Sequence, residues 1–366
     1  MNFDYNEEQQ LLADSVRRYF AKDYDFEARQ RIVASREGWS EAVWRQLAEM
    51  GLTGLPIPAE YGGFGGGAVD MMGVLEAAGE ALLVEPYVPT MVAARLVERA
   101  GSDAQRKAIL APVAEGKLRL AFAHAERGAR YNLSRIEARA RKSGEGWLVA
   151  GEKVGVLGAP AAQKLVVAAR TDRGPSLFLV ETAAAKLRPH VTLDEMRAAD
   201  VVIEDARAEL LGAEGGAMPA IEEAADFGTA LVCAEAVGAM KFACETTLEY
   251  LKTRKQFGVP IGTFQALQHR MVDMFISYEQ ARSMACLAAS KVDGAKDARE
   301  RARAVSAAKV KISDAARHIS QESVQLHGGM GMTEELKVSH TFRRLTVIAQ
   351  QWGDAEHHLA RFAALG

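Results

Sequence analysis

The chain has 366 residues, enough for two or three packed units. Its 49% hydrophobic and 25% charged residues exclude disorder and fibrous architectures. Lys plus Arg is 45 and Asp plus Glu is 48, so the net charge of −3 lacks the basic excess of a nucleic-acid binder.

The three cysteines (Cys233, Cys244, Cys286) are too scattered for a disulfide framework or a CxxC metal site, and a reducing cytoplasm suits them. No apolar run of about 18 residues stands out, so no membrane span is expected. The polar, acidic start MNFDYNEEQQ is unlike a secretory signal. These features leave a soluble enzyme or a helical interaction protein.

The first third reads as helical. Asn6 and Gln9 have capping-box spacing, and apolar residues follow at 11, 12, 16 and 20. Ser40 is a second N-cap candidate; Trp39 and Trp44 flank it at hydrophobic-staple spacing, and that helix should stop near Gly51. Pro56, Pro58 and the glycines of Tyr61–Gly67 form a loop, which is not a GxGxxG phosphate cradle. Helical patterns resume from Val69 to Gly116.

The middle changes character. Ile136–Lys142 and Trp147–Lys153 read as a hairpin closed by the four-residue turn Ser143-Gly144-Glu145-Gly146. Leu165–Ala168, Leu177–Val180 and Val201–Ile203 are further short β-rich runs. No helices separate them, which argues for a small antiparallel β-domain and against a Rossmann unit. The last third carries three long apolar stripes at helical spacing: Ala230 to Leu251, Leu267 to Ala285, and Val305 to Ser323. They should pack as a bundle. Met271, Met274 and Met284 read as core, and Gly328-Gly329 as the stop of the third helix. The expected order is an N-terminal helical domain (1–117), a central β-domain (118–214) and a C-terminal four-helix bundle (215–366).

Common catalytic signatures do not occur: there is no nucleophile elbow, P-loop or HExxH. His357-His358 points in two directions on a helix, so no metal site is expected. His124 near Glu126 has the residue types for acid–base chemistry, but a satisfied polar pair at a strand end is the favoured reading. Two stretches are more specific. Arg254-Lys255-Gln256-Phe257-Gly258-Val259-Pro260-Ile261-Gly262 sets a guanidinium and amides at a tight helix–helix corner, where a phosphate can be held. Gln325-Leu326-His327-Gly328-Gly329 puts glycine at a helix end, where a ligand can approach the backbone. A capped helix hairpin explains both equally well on residue chemistry alone.

These two stretches carry a resemblance. RKQFGVPIGTFQALQHRMVDM is similar to the RxxFGxPIxxFQxxxHxxADM segment of flavin-dependent acyl-CoA dehydrogenases, and QLHGGMGM to their QxxGGxG segment. PAEYGGFGGG matches the family's break after the second helix. The resemblance implies the helices–β-domain–bundle fold, a tetramer built as a dimer of dimers, and FAD shared between subunits. It implies desaturation of an acyl-CoA by a glutamate base and the flavin, with electron-transfer flavoprotein or a similar acceptor downstream. It places Arg254, Gln256, Phe257 and Gln265 on the pyrophosphate and adenine side of one FAD, and Gln325 and Gly329 on the partner subunit's.

The chain departs from the family at the catalytic end. The two usual base positions read Trp352 and Gly228, and neither carries a carboxylate. Asp226 and Asp354 lie close by and are the candidates for a shifted base; their plain readings are an N-cap and a solvated turn. The flavin-ring stretch reads His124–Arg130, and the usual Trp-Ile-Thr strand reads Gly155-Val156-Leu157. The resemblance is therefore strongest to smaller subunits of two-subunit members, such as those acting on pimeloyl-CoA and similar dicarboxylyl-CoA thioesters or on steroid side chains. YDFEAR, EGWSEAVW and LVEPYVPT share that character. The expected partner is a larger catalytic subunit. The alternatives are a self-sufficient homo-oligomer with a relocated base, or an FAD-free binder that keeps the fold.

Overall fold

In the computed structural model, residues 5–366 are described. They form two compact units, each assembled from separate stretches of chain. One takes residues up to Gln30, Ala68–Leu83 and Thr229–Gly366; the other takes Arg31–Gly67 and Val84–Gly228.

The first unit is helical. α1 (Glu7–Asp23) opens with the expected capping box: Gln9 N–H donates to Asn6 and the Gln9 side chain accepts from the Asn6 N–H. α4 (Ala68–Ala81) packs on α1, and the two carboxylate oxygens of Asp293 accept its first two N–H groups at 2.8 and 2.9 Å. The long helices follow: α7 (Met218–Thr253), which belongs to this unit from Thr229 on, α8 (Gln265–Gly294), α9 (Ala298–His327), then α10 (Lys337–Gln350) and α11 (Ala355–Ala364). α8, α10 and α11 all pack on α9.

Glycine sets the closest approach in this unit. A Cβ on Gly79 of α4 would lie 1.9 Å from the Glu235 carbonyl of α7, and one on Gly238 would lie 1.8 Å from the Glu76 carbonyl. The two backbones therefore touch, which only glycine permits. A buried bidentate pair, Glu235 with Arg344, fastens α10 to α7 at 2.7 Å on each oxygen.

The second unit carries the end of α2 (Phe26–Ala34) from Arg31 on, α3 (Glu41–Glu49), α5 (Tyr87–Ala100), α6 (Asp103–Ala114) and the sheet. Ser40 caps α3 as expected. Instead of a simple staple, the Arg119 guanidinium lies 4.5 Å from the Trp39 ring centroid and 6.0 Å from that of Trp44.

The strands are β1 (Leu120–Ala123), β2 (Arg139–Ser143), β3 (Gly146–Leu157), β4 (Lys164–Thr171), β5 (Gly174–Glu181), β6 (Lys186–Val191) and β7 (Arg197–Leu211). Their order is β1-β4-β2-β3-β7-β5, β5 also pairs β4, and β6 lies on β7. The sheet thereby closes on itself, removing most of its free edge. Inside are Val149, Leu165, Val167, Phe178, Val180, Val201 and Ile203, with Trp147 against Phe178.

Several details correct the sequence reading. The sheet is not purely antiparallel, because β4 runs parallel to β1 and β2. The β2–β3 turn holds two residues rather than four, since Ser143 pairs with Gly146. α7 is long and apolar enough to cross a membrane by length and composition, against expectation, but 89% of its most apolar stretch is buried. It is a core helix, apolar because its neighbours surround it. Among the three methionines read as core, Met274 is fully buried while Met271 and Met284 are half-buried.

One buried cation yields a test. Lys309 of α9 is inaccessible to solvent and donates to the Ile348 carbonyl at 2.5 Å. Burial pushes its ammonium down to about 8, with the nearby Cys233 and Asp354 working the other way. A lysine depressed in the folded state binds fewer protons there than in the unfolded chain between about pH 8 and 10.5. Stability should therefore rise with pH across that window. Lys309→Met should stabilise the protein by about 1–3 kcal/mol at pH 7, allowing for the lost hydrogen bond. That gain should shrink toward pH 10, as urea melts at several pH values will show.

Candidate functional site

The Arg254 stretch lies where α7 gives way to α8. β8 (Lys255–Gln256) and β9 (Val259–Pro260) form a minimal hairpin, with Gln256 opposite Val259. Its two turn residues, Phe257 and Gly258, both have positive φ, 56° and 82°. That is the turn that suits a two-residue hairpin, and it normally excludes a bulky residue from the first position. Phe257 nevertheless occupies it and is 90% exposed, its ring edge-on to Phe264 at 6.1 Å.

The corner is held by its backbone. Arg254 N–H donates to the Tyr250 carbonyl and Ile261 N–H to the Arg254 carbonyl, each at 2.8 Å. Gln268 Nε2 donates to the Gly262 carbonyl at 2.8 Å. Arg254, Gln256 and Gln265 are all solvent-exposed. The corner thus presents one guanidinium and two amides on a fixed frame.

The second motif closes α9. Gln325 is exposed in the last turn, and Gly328 ends the helix at φ 61°. Gly329 is exposed, with open space where a Cβ would stand. Thus every residue predicted for nucleotide binding is surface-accessible.

The two places read as empty of a base are built differently from each other. Gly228 and Thr229 are buried within α7. Asp226 is also buried there, eight residues past the start of the helix, so it is not the N-cap expected from sequence. The cap is Asp354 instead, whose carboxylate accepts from His357 N–H at 2.8 Å and opens α11.

Trp352 is half-buried and left-handed, with φ 60°. Its turn is held from several sides. His358 Nε2 donates to the Trp352 carbonyl at 3.1 Å, and Lys309 holds the Ile348 carbonyl. Burial, with the Lys309 charge behind it, pushes His358 down to about 3, so the imidazole is neutral. Its donated proton therefore sits on Nε2, since a carbonyl can only accept.

The His124 segment follows β1 in the second unit. His124 and Glu126 are not the mutual pair expected. Glu126 accepts from the N–H groups of Glu137 and Ala138 at 2.6 and 3.0 Å and from Lys153 Nζ at 2.5 Å. Burial opposes its charge, but the Lys153 ammonium and the two amides hold its carboxyl below the usual range. His124 stacks on Phe122 instead, and burial drives it down to about 4. Its Nδ1 is buried without a hydrogen-bond partner.

Sequence reasoning missed Lys153, which follows Trp147 and Val149 at strand spacing and so shares their inward face of β3. Gly155 lies at a register shift of β3, at φ 60°, and its N–H donates to Asp200. The segment Gly155–Leu157 supplies neither an aromatic ring nor a hydroxyl.

Comparisons with known proteins agree along the chain. Residues 6–117 match the family model "Acyl-CoA dehydrogenase, N-terminal domain" and residues 215–364 match "Acyl-CoA dehydrogenase, C-terminal domain". The chain is 32% identical to acyl-CoA dehydrogenase FadE12 of Mycobacterium tuberculosis, over 95% of this chain and 93% of that one. Its fold matches the FAD complex of PigA at TM-score 0.90 and 26% identity, covering 100% and 98% of the two chains. It matches the ChsE4-ChsE5 complex of Mycobacterium tuberculosis at TM-score 0.91 and 24% identity, covering 100% and 98%, a likeness of fold.

The buried pair in the second unit gives a stability test. Lys153→Met leaves the Glu126 charge enclosed without its ammonium and should cost about 3–5 kcal/mol. Adding Glu126→Gln to Lys153→Met should recover part of that loss. Chemical denaturation of the two variants against the parent chain measures both values.

Proposed function

The chain belongs to the acyl-CoA dehydrogenase family, and from that premise we propose that it is the smaller, non-catalytic subunit of a two-subunit FAD-dependent enzyme. The observation that carries this reading is the lack of a carboxylate at both usual base positions, Trp352 and Gly228. An indole or a bare backbone cannot take the proton of a carbon acid. Asp354 is engaged as a helix cap and Asp226 is enclosed within α7, which disfavours a relocated base.

The residues fit FAD unequally. Toward the pyrophosphate and adenine they fit: Arg254 offers a charge-assisted contact, Gln256 and Gln265 offer amides, and Phe257 an exposed ring. Gln325 and the open backbone at Gly329 suit the second half of such a site. Toward the flavin ring they do not fit. Gly155–Leu157 lacks the usual ring and hydroxyl, and Glu126 is consumed by Lys153.

When bound, FAD supplies the redox chemistry of acyl-CoA dehydrogenation. In this proposal, this chain binds and orients the nucleotide end, and the larger subunit brings the base and the ring pocket. The substrate class is an acyl-CoA or dicarboxylyl-CoA thioester, the acceptor an electron-transfer flavoprotein or similar carrier, and the setting the cytoplasm. Division into sequential domains at 1–117, 118–214 and 215–366 is part of the same proposal.

A second feature supports a partner. The N-terminal half of α8 exposes Val272, Phe275 and Ile276, three apolar residues on one helical face. That face lies away from the buried stripe of Met274, Ala281 and Ala285. The likeness in fold to a complex of two such chains agrees with this arrangement.

Three outcomes test the proposal. Purified alone, the chain should show no yellow flavin spectrum; with its larger partner, the complex should hold flavin that an acyl-CoA bleaches. Stoichiometric flavin bleached in the chain alone favours the self-sufficient reading, and a flavin-free complex favours the FAD-free binder. Arg254→Ala should weaken FAD retention in the complex by about 1.5–3 kcal/mol, read by equilibrium dialysis. Phe275→Asp combined with Ile276→Asp should abolish co-purification of the two subunits while leaving the circular dichroism of this chain unchanged.

A further inference from the structure

The two motif loops belong to different helix ends, yet a continuous chain of contacts joins them. Tyr250, in the last turn of α7, stacks on His327, the last residue of α9, with ring centroids 4.4 Å apart and planes 28° apart. The Tyr250 carbonyl accepts the Arg254 N–H, and the Arg254 carbonyl in turn accepts from Ile261. On the other side, His327 leads directly into Gly328, and a Cβ on Gly331 would meet His327 Cβ at 2.9 Å.

The ring pair is itself braced. His327 Nδ1 donates to the Ser323 carbonyl at 2.8 Å, which fixes its orientation. One turn below, Thr247 and Ser323 share a buried hydrogen bond of 2.8 Å between the same two helices. His327 is 4% exposed, whereas the Tyr250 ring is half-buried. Nothing in the base chemistry of the family reading uses either ring.

We infer that Tyr250 and His327 are positioning residues for nucleotide binding: their stack locks the Arg254 hairpin to the Gly328–Gly331 turn. This rests on the reading of those loops as halves of nucleotide sites. It goes beyond that reading by assigning their fixed spacing to one ring pair. The physical reason is that Arg254, Gln256 and Gln325 are exposed and cannot hold each other in place. An exposed guanidinium binds a diphosphate well only if its backbone is already held, because ordering it at the moment of binding opposes affinity.

The test uses the full chain, ADP as the probe and isothermal titration, with thermal melting and hydrogen exchange of residues 254–262 alongside. Tyr250→Leu and His327→Leu should each weaken ADP binding by roughly two- to tenfold, what an aromatic pair is worth. Each should speed exchange at Arg254 and Ile261, with the melting temperature little changed. Tyr250→Phe keeps the stacked ring and should bind as the parent does.

Unchanged binding and exchange in both leucine variants overturns the inference. Loss in Tyr250→Phe equal to that in Tyr250→Leu also overturns it, because the effect would then belong to the hydroxyl. Arg254→Ala separates the two levels. If it leaves ADP binding intact, or if the parent chain binds no ADP, the underlying reading of the loops falls. If Arg254→Ala weakens binding and the leucine variants do not, only the ring-pair inference falls.

Discussion

The functional end of the bundle depends on the reversal between α7 and α8, which turns on two consecutive left-handed residues, Phe257 and Gly258. Glycine takes this conformation at little cost, whereas a phenylalanine there is strained by about 1–2 kcal/mol. The flanking hydrogen bonds, Arg254 to Tyr250 and Ile261 to Arg254, hold the strained turn in place. What the protein gains is a bulky ring at the apex of a rigid corner, 90% exposed and three residues along the chain from Arg254. A folded chain that keeps strain and exposes an aromatic ring together has a use for that ring outside its own core.

The same chain is built soundly where catalysis would be expected. The Trp352 turn is fixed by His358 and by buried Lys309, and Asp354 is committed to capping α11. In the second unit Lys153, Glu126 and two backbone amides close the segment after β1. Buried charges of this kind are costly unless satisfied, and here the main ones are satisfied. Both segments are therefore firmly built. That firmness suits the proposed role, structure and the nucleotide end of a shared cofactor.

Much of this was legible in the sequence. Asn6 with Gln9 and Ser40 marked helix starts because capping is local chemistry. Long apolar stripes revealed α7, α8 and α9, and glycine types marked the corner. What failed depended on distant contacts. Asp226 looked like an N-cap because the start signal of α7, Pro219 in its first turn, lies seven residues upstream and was passed over; the helix begins at Met218. β1 and β6 are too short, and β6 too exposed, to show a strand pattern. The pairing of Glu126 with Lys153 spans 27 residues and is set by sheet closure, which no local spacing encodes. The α4–α7 contact at Gly79 and Gly238 was likewise invisible, since glycine inside a helix signals nothing until its neighbour is known.

The central claim is that this chain lacks a base of its own, and the most direct measurement is exchange of the substrate α-proton. The protein, without a partner and with FAD present in the buffer, is incubated with an acyl-CoA in deuterium oxide, and C2 deuteration is followed by mass spectrometry. The account predicts no exchange above the buffer background. Exchange well above it, saturable in protein, would contradict the account and place a working base within this chain.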